Sequence, residues 1–313
     1  MKSHQQMRLT SAGHTASATR AMSYFSGVSR FNDRTGGIAF YKLIEAIEEQ
    51  FDARKEELIS ILKELITSVF CKEDFMISLT AEPEVLDKVK ERIAGLQAKL
   101  FDRKESAGSR FVQEEKKNEG FETSGQVQYV AMAGNFCKDG YTYTGALRIL
   151  KTIMAYEYLW SNIRVQGGAY GCMSGYGRTG DTYFVSYRDP NLGRTVGVYE
   201  GIADYLKNFS VSDRDMCKYI IGTMSEVDTP MNPQAKGARS LMAYLCHITQ
   251  NDLQRERNEI LSATPGNIRA LAPLIESVVQ QRNLCVIGSA AKIESEKSLF
   301  YEIKPLIGQG ENE

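Results

Sequence analysis

Residues 164–181 read Arg-Val-Gln-Gly-Gly-Ala-Tyr-Gly-Cys-Met-Ser-Gly-Tyr-Gly-Arg-Thr-Gly-Asp, and this stretch decides the fold. An apolar helical pattern leads into it from about 144 to 163, with Leu147, Leu150, Ile153, Met154, Leu159, Trp160 and Ile163 as expected core positions. An aromatic strand pattern, Thr182 to Arg188, leads out. Glycine has no Cβ, so a segment this rich in it lets another backbone approach closely. The fork of Arg164 and the phenol of Tyr170 are good donors to carbonyl oxygens. Together these features read as an edge suited to an extended peptide. Gly175 to Gly180 also spells G-x-G-x-x-G. A dinucleotide loop needs a helix after it, whereas a strand follows here, so a tight turn between two strands is the better account. A kinase-type loop would need V-A-I-K and H-R-D segments downstream, and a P-loop would need G-K-[ST]; none occurs.

Working outward, the patterns alternate between helices and strands. Residues 4–25 read as a helix, Phe31 to Gly37 as a turn, and Gly37 to Phe70 as a helix or helix pair with apolar residues spaced by three and four. Phe75 to Thr80 reads as a short strand, and Glu82-Pro83-Glu84 opens a helix through Leu100. Residues 102–124 are charged, glycine-spaced and poor in core formers, which suggests a solvated linker. A second segment starts with a strand from Val127 to Ala133. After the glycine stretch and its strand come a helix ending near Phe209 and another, capped by Ser210 or Ser212, through Val227. Helical stretches at about 234–249, 251–262 and 265–281, a strand Leu284 to Ile287 and a helix Ile293 to Tyr301 complete the chain. Strands separated by helices predict an α+β protein of two-layer α/β sandwich units, one partial and one complete. The expected boundaries are 1–105, a linker at 106–124, and 125–313.

The totals narrow the function. A chain of 313 residues with 42% hydrophobic and 25% charged residues has an ordinary globular composition. A net charge of −1 removes the electrostatic case for nucleic acid or an anionic membrane as main partner. No apolar run approaches bilayer length. The six cysteines are scattered without a C-x-x-C pair, which fits a reducing compartment, expected to be cytoplasmic or an organellar matrix. Residues 1–32 lack acids and hold four Lys or Arg, as organellar transit peptides do, but a basic helix of the folded protein is preferred. Three histidines, none in an H-x-x-E-H or H-E-x-x-H frame, leave no expected metal site and no expected cofactor in this chain. His247, between Leu245 and Ile248, reads as a core histidine. Taken alone, Arg164 could simply complement a helix C-terminus and Tyr170 could be an ordinary strand tyrosine.

Arg164-Val165-Gln166-Gly167-Gly168-Ala169-Tyr170-Gly171 resembles the R-x-x-G-x-x-Y-G signature in the C-terminal half of insulinase-type (pitrilysin-like) zinc metallopeptidases, closest to the presequence protease branch. Gly13-His14, Arg20 with Ser23-Tyr24-Phe25-Ser26, and Gly37-Ile38-Ala39-Phe40-Tyr41 resemble the late third domain of that branch. The resemblance implies a four-domain enzyme that closes around an unfolded peptide, with zinc held by H-x-x-E-H in the first domain. It implies that Tyr170 donates to the oxyanion of the tetrahedral intermediate and that Arg164 holds a substrate carbonyl. Gly167, Gly168, Ala169 and Gly171 would line the substrate edge. This chain has no zinc motif, so the expected partner is a zinc-bearing N-terminal half, in the same polypeptide or as a separate subunit. The alternative is a non-catalytic binding or structural subunit of a processing-peptidase-like assembly.

Overall fold

The structure, a computed structural model, describes residues 1–73, 75–103 and 114–308. Its chain divides into two compact units. One comprises Met1–Glu45, Val112–Asp228 and Gln254–Glu313; the other comprises Ala46–Phe111 and Thr229–Leu253.

The larger unit is built on a single six-stranded sheet: β1 (Glu119–Thr123), β2 (Tyr129–Asn135), β3 (Gly171–Tyr176), β4 (Asp181–Tyr187), β5 (Asn283–Ser289) and β6 (Glu302–Pro305). Their spatial order is β3-β4-β2-β5-β1-β6. The pairs β3/β4, β4/β2 and β2/β5 are antiparallel, and β5/β1 and β1/β6 are parallel. Alternate residues of a strand face opposite sides of the sheet. Val130, Met132, Phe184, Leu284 and Val286 accordingly pack on one face with Leu147, Leu150, Ile153 and Tyr199 from the helices. Ala131, Ala133, Val185, Cys285 and Ile287 face the other side, against Ala18, Ala21, Phe25 and Tyr41. Each large aliphatic side chain buried this way contributes about 1.5–3 kcal/mol. The expected α+β sandwich is therefore present, and the second face of its sheet is covered by the N-terminal helices.

Several local expectations change. The helix expected over 4–25 is two helices, Lys2–Ser11 and Gly13–Ser23, broken at Ala12. Gly13 lies so close to Tyr129 that a Cβ there would sit 2.3 Å from the ring. The expected turn at Phe31 to Gly37 lies mostly within a helix, Gly27–Gly36, started by the Ser26 side chain accepting from the Ser29 amide. In the expected linker, Glu119–Thr123 is strand β1, paired on both sides and buried at its start; residues 106–113 lie outside the described residues. Its letters are polar because the buried acid Glu119 is neutralised by partners far away in sequence. Arg20 meets its two carboxylate oxygens at 2.5 and 2.9 Å, Lys304 approaches at 2.9 Å, and the Tyr24 hydroxyl donates at 2.9 Å. Arg20 also reaches Asp33 at 2.7 Å. Burial by itself would raise the Glu119 carboxyl; the bonds and charges of Arg20, then Lys304, outweigh it and hold Glu119 at about 2.

The smaller unit contains the helices Phe51–Val69, Pro83–Gln97 and Pro233–Leu245. No residue of Phe51–Val69 is buried, and Phe51, Leu62, Leu65, Ile66 and Val69 are exposed. The expected strand at Phe75 to Thr80 is unpaired, because no strand of this unit lies beside it among the described residues. His247 is exposed rather than core. It follows Pro233–Leu245 at a φ of 54°.

Candidate functional site: an arginine and tyrosine at the sheet edge

The quoted stretch folds into the β3 edge of the sheet. The long helix expected before it stops early: Ala146–Tyr156 is α-helical, and Trp160–Val165 forms a π-turn, closed by the Gln166 amide bonding to the Ser161 carbonyl. Such wide turns are rare and often sit at functional sites. This one places Arg164 at the mouth of the glycine segment. Gly167 is needed there because a Cβ would lie 2.4 Å from the Ile163 carbonyl oxygen. Gly168 follows with a φ of 78°, a left-handed conformation that disfavours any side chain. Asn191 donates to the Gly167 carbonyl at 2.7 Å and Arg194 to the Gln166 carbonyl at 3.0 Å, fixing the turn from outside.

Ala169 is buried in the core and anchors the stretch. Tyr170 is 64% exposed. Its amide bonds to the Tyr187 carbonyl at 3.0 Å, and its ring meets the Tyr187 ring edge-on at 5.5 Å. Its backbone is thus fixed, while its hydroxyl has no partner among the described residues. Arg164 donates from Nη1 to the Tyr170 carbonyl. Its guanidinium lies 4.3 Å over the Trp160 ring and 5.5 Å from the Tyr170 ring. Gly171 begins β3, where a Cβ would meet only ordinary contact with Tyr187. Sequence reasoning therefore brings Arg164, Tyr170 and their glycines into one place. It misassigns Trp160, which is 39% exposed and stacked on Arg164 rather than core. The spacing of four residues from Trp160 to Arg164 on one helical pattern could have paired them. Asn191, Arg194 and Tyr187 left no local signal.

The neighbouring groups are committed elsewhere. Arg178, the other arginine of the stretch, ion-pairs with buried Glu256, which Arg148 also holds at 2.7 Å. Gly175 to Gly180 is the β3/β4 hairpin, with a strand on each side as expected of a tight turn. Burial pushes the Cys172 thiol up to about 11, against the opposing charge of Arg164. Among the described residues no three His, Cys, Asp or Glu side chains gather to hold a metal ion. The described residues thus offer no donor set that fits a zinc ion. No helix among the described residues is long and apolar enough to cross a membrane.

An α+β domain whose sheet edge presents an arginine and a tyrosine over a glycine turn is the class that fold and site define. Residues 118–292, more than half of the chain, match the family described as the PreP C-terminal domain, and the chain belongs to that family. It is 36% identical to Protein HypA of Clostridium perfringens over 296 residues, covering 95% of this chain and 30% of that protein. It is 29% identical to Presequence protease 1, chloroplastic/mitochondrial, of Arabidopsis thaliana over 310 residues, covering 97% of this chain and 28% of that protein. The chain thus spans under a third of the length of these curated relatives. Among solved structures, the peptidase M16 inactive domain from Pseudomonas fluorescens aligns with a TM-score of 0.46 and 15% identity, over 73% of this chain and 53% of that one. Pitrilysin aligns with a TM-score of 0.44 and 13% identity, over 65% of this chain and 22% of that one.

Proposed function

We infer that this chain is the C-terminal, substrate-holding half of a zinc metalloendopeptidase acting on unfolded peptides, and that it is inactive without a half bearing H-x-x-E-H. In this reading residues 1–105 are the end of a third peptidase-like domain and residues 125–313 a fourth. The observation that carries it is the exposed Tyr170 side chain, its ring 5.5 Å from the Arg164 guanidinium, at a sheet edge bordered by Gly168 and Gly171. The fixed Tyr170 backbone holds that phenol ready to donate to charge developing on a substrate carbonyl. The Arg164 fork adds further donors for the peptide backbone, and the glycines leave room for it. Zinc and its activated water would come from the other half, and the exposed apolar residues of the amphipathic helix Phe51–Val69 support a protein partner. The compartment in this reading is the cytoplasm or an organellar matrix.

The test is hydrolysis of an unstructured peptide by the assembled enzyme, either the full polypeptide or this chain with its zinc-bearing half. Tyr170→Phe is expected to lower kcat by about 100-fold or more, the scale for one oxyanion donor, with the melting temperature unchanged. Unchanged kinetics would remove the oxyanion role. They would leave the chain as a non-catalytic binding or structural subunit. Hydrolysis by this chain alone would overturn its assignment as a dependent half.

A further inference from the structure

We propose that Trp160 is a positioning residue of this edge, holding the Arg164 guanidinium flat while leaving its donors free for a peptide backbone; this rests on the peptide-holding reading above. A cation can be held by a carboxylate or by an aromatic face. A guanidinium carries five N–H donors in one plane. A carboxylate partner orients it by consuming two of them, as Glu119 does to Arg20. An indole face attracts the same cation from above through its ring electrons and consumes none. Arg164 lies 4.3 Å over Trp160, the better of its two aromatic contacts, and makes one hydrogen bond, from Nη1 to the Tyr170 carbonyl. The remaining donors have no acceptor among the described residues. The π-turn from Trp160 to Val165 brings the two side chains one turn apart, and the indole is 39% exposed, so the stack stands at the surface. The Tyr170 carbonyl then occupies one position that a substrate carbonyl could take. The guanidinium can turn within the stack to meet the substrate without leaving the indole.

Trp160 is the only tryptophan in the chain, so its emission reads the stack directly. In the intact chain without peptide, Arg164→Ala is expected to raise acrylamide quenching of Trp160 and shift its emission to the red, with Arg164→Lys intermediate. No change in either property would overturn the stack. A second measurement follows binding of a fluorescein-labelled, capped alanine–valine–serine–glycine peptide by anisotropy. Trp160→Leu is expected to weaken binding about two- to fivefold, the scale of an exposed cation–π contact, while Trp160→Phe retains most of the affinity. In an Arg164→Ala background Trp160→Leu should cost nothing further, because the two residues act as one. An equal loss in both backgrounds would show that Trp160 acts without Arg164 and would overturn the proposal. A chain whose emission responds to Arg164→Ala but which binds no peptide keeps the stack and overturns both the peptide-holding reading and the purpose assigned to Trp160.

Discussion

Two arginines near opposite edges of one sheet have opposite fates. Arg20, beside β1 and β6, is largely buried and donates to both oxygens of Glu119 and to Asp33. Arg164, before β3, is half-buried at the surface, stacked on an indole and bonded to one backbone carbonyl. Carboxylate partners in a buried site turn an arginine into a staple between distant segments. An aromatic partner at the surface keeps it available. The difference lies in the surroundings, since the side chain is the same.

The largest loss of stability is expected at the staple. Glu119→Gln leaves Arg20 and Lys304 facing an uncharged amide at a fully buried position, and removing one partner of a buried pair costs about 3–5 kcal/mol. Urea unfolding monitored by circular dichroism measures this, and a loss below about 1 kcal/mol would mean the cluster is not a staple. The same group sets an acid limit. A carboxyl held at about 2 when folded, against 4.5 ordinarily, stabilises the fold fully above about 4.5. That contribution is lost as pH falls from 4.5 toward about 2. The pH dependence of the urea midpoint should therefore be flatter across this window in Glu119→Gln than in the wild type.

A smaller effect is expected at the β3/β4 hairpin, which closes the β3 edge. Gly180 has a φ of 90°, and a Cβ there would sit 2.4 Å from the Asn135 Oδ1. Gly180→Ala should cost about 1–3 kcal/mol by the same unfolding measurement. A neutral result would show that the β3/β4 turn can relax without affecting the strands.

The least effect on stability belongs to the exposed edge. Tyr170→Phe should change unfolding free energy by about 0.5 kcal/mol or less, the range for surface substitutions, and Arg164→Ala by about 1 kcal/mol or less, the scale of an exposed cation–π contact. If Arg164→Ala proves as damaging as Glu119→Gln, both arginines are staples and the contrast disappears.

What could be read from the letters follows the range of the interactions that decide each element. The helix Asp213–Val227 was legible because its cap, Ser212 accepting from the Asp215 amide, lies three residues away. Strand β4 was legible from its own aromatic and β-branched residues. Strand β1 was not, because the partner that lets Glu119 be buried is Arg20, 99 positions earlier. Strand β6 was missed for the same reason. Its Ile303 and Lys304 have meaning only beside Gly120 and Phe121.

The letters alone carried the α+β class and the hairpin around Gly175 to Gly180, while Arg164 and Tyr170 were joined by their resemblance to a family signature. The first two rest on periodicity and glycine chemistry. Only the tertiary structure decided that a charged segment is an interior strand, that the N-terminal helices cover the second face of the sheet, and that Trp160 serves Arg164 rather than the core. Those outcomes depend on which distant groups become neighbours: burial makes a charge costly, and only a partner brought in by the fold can offset it.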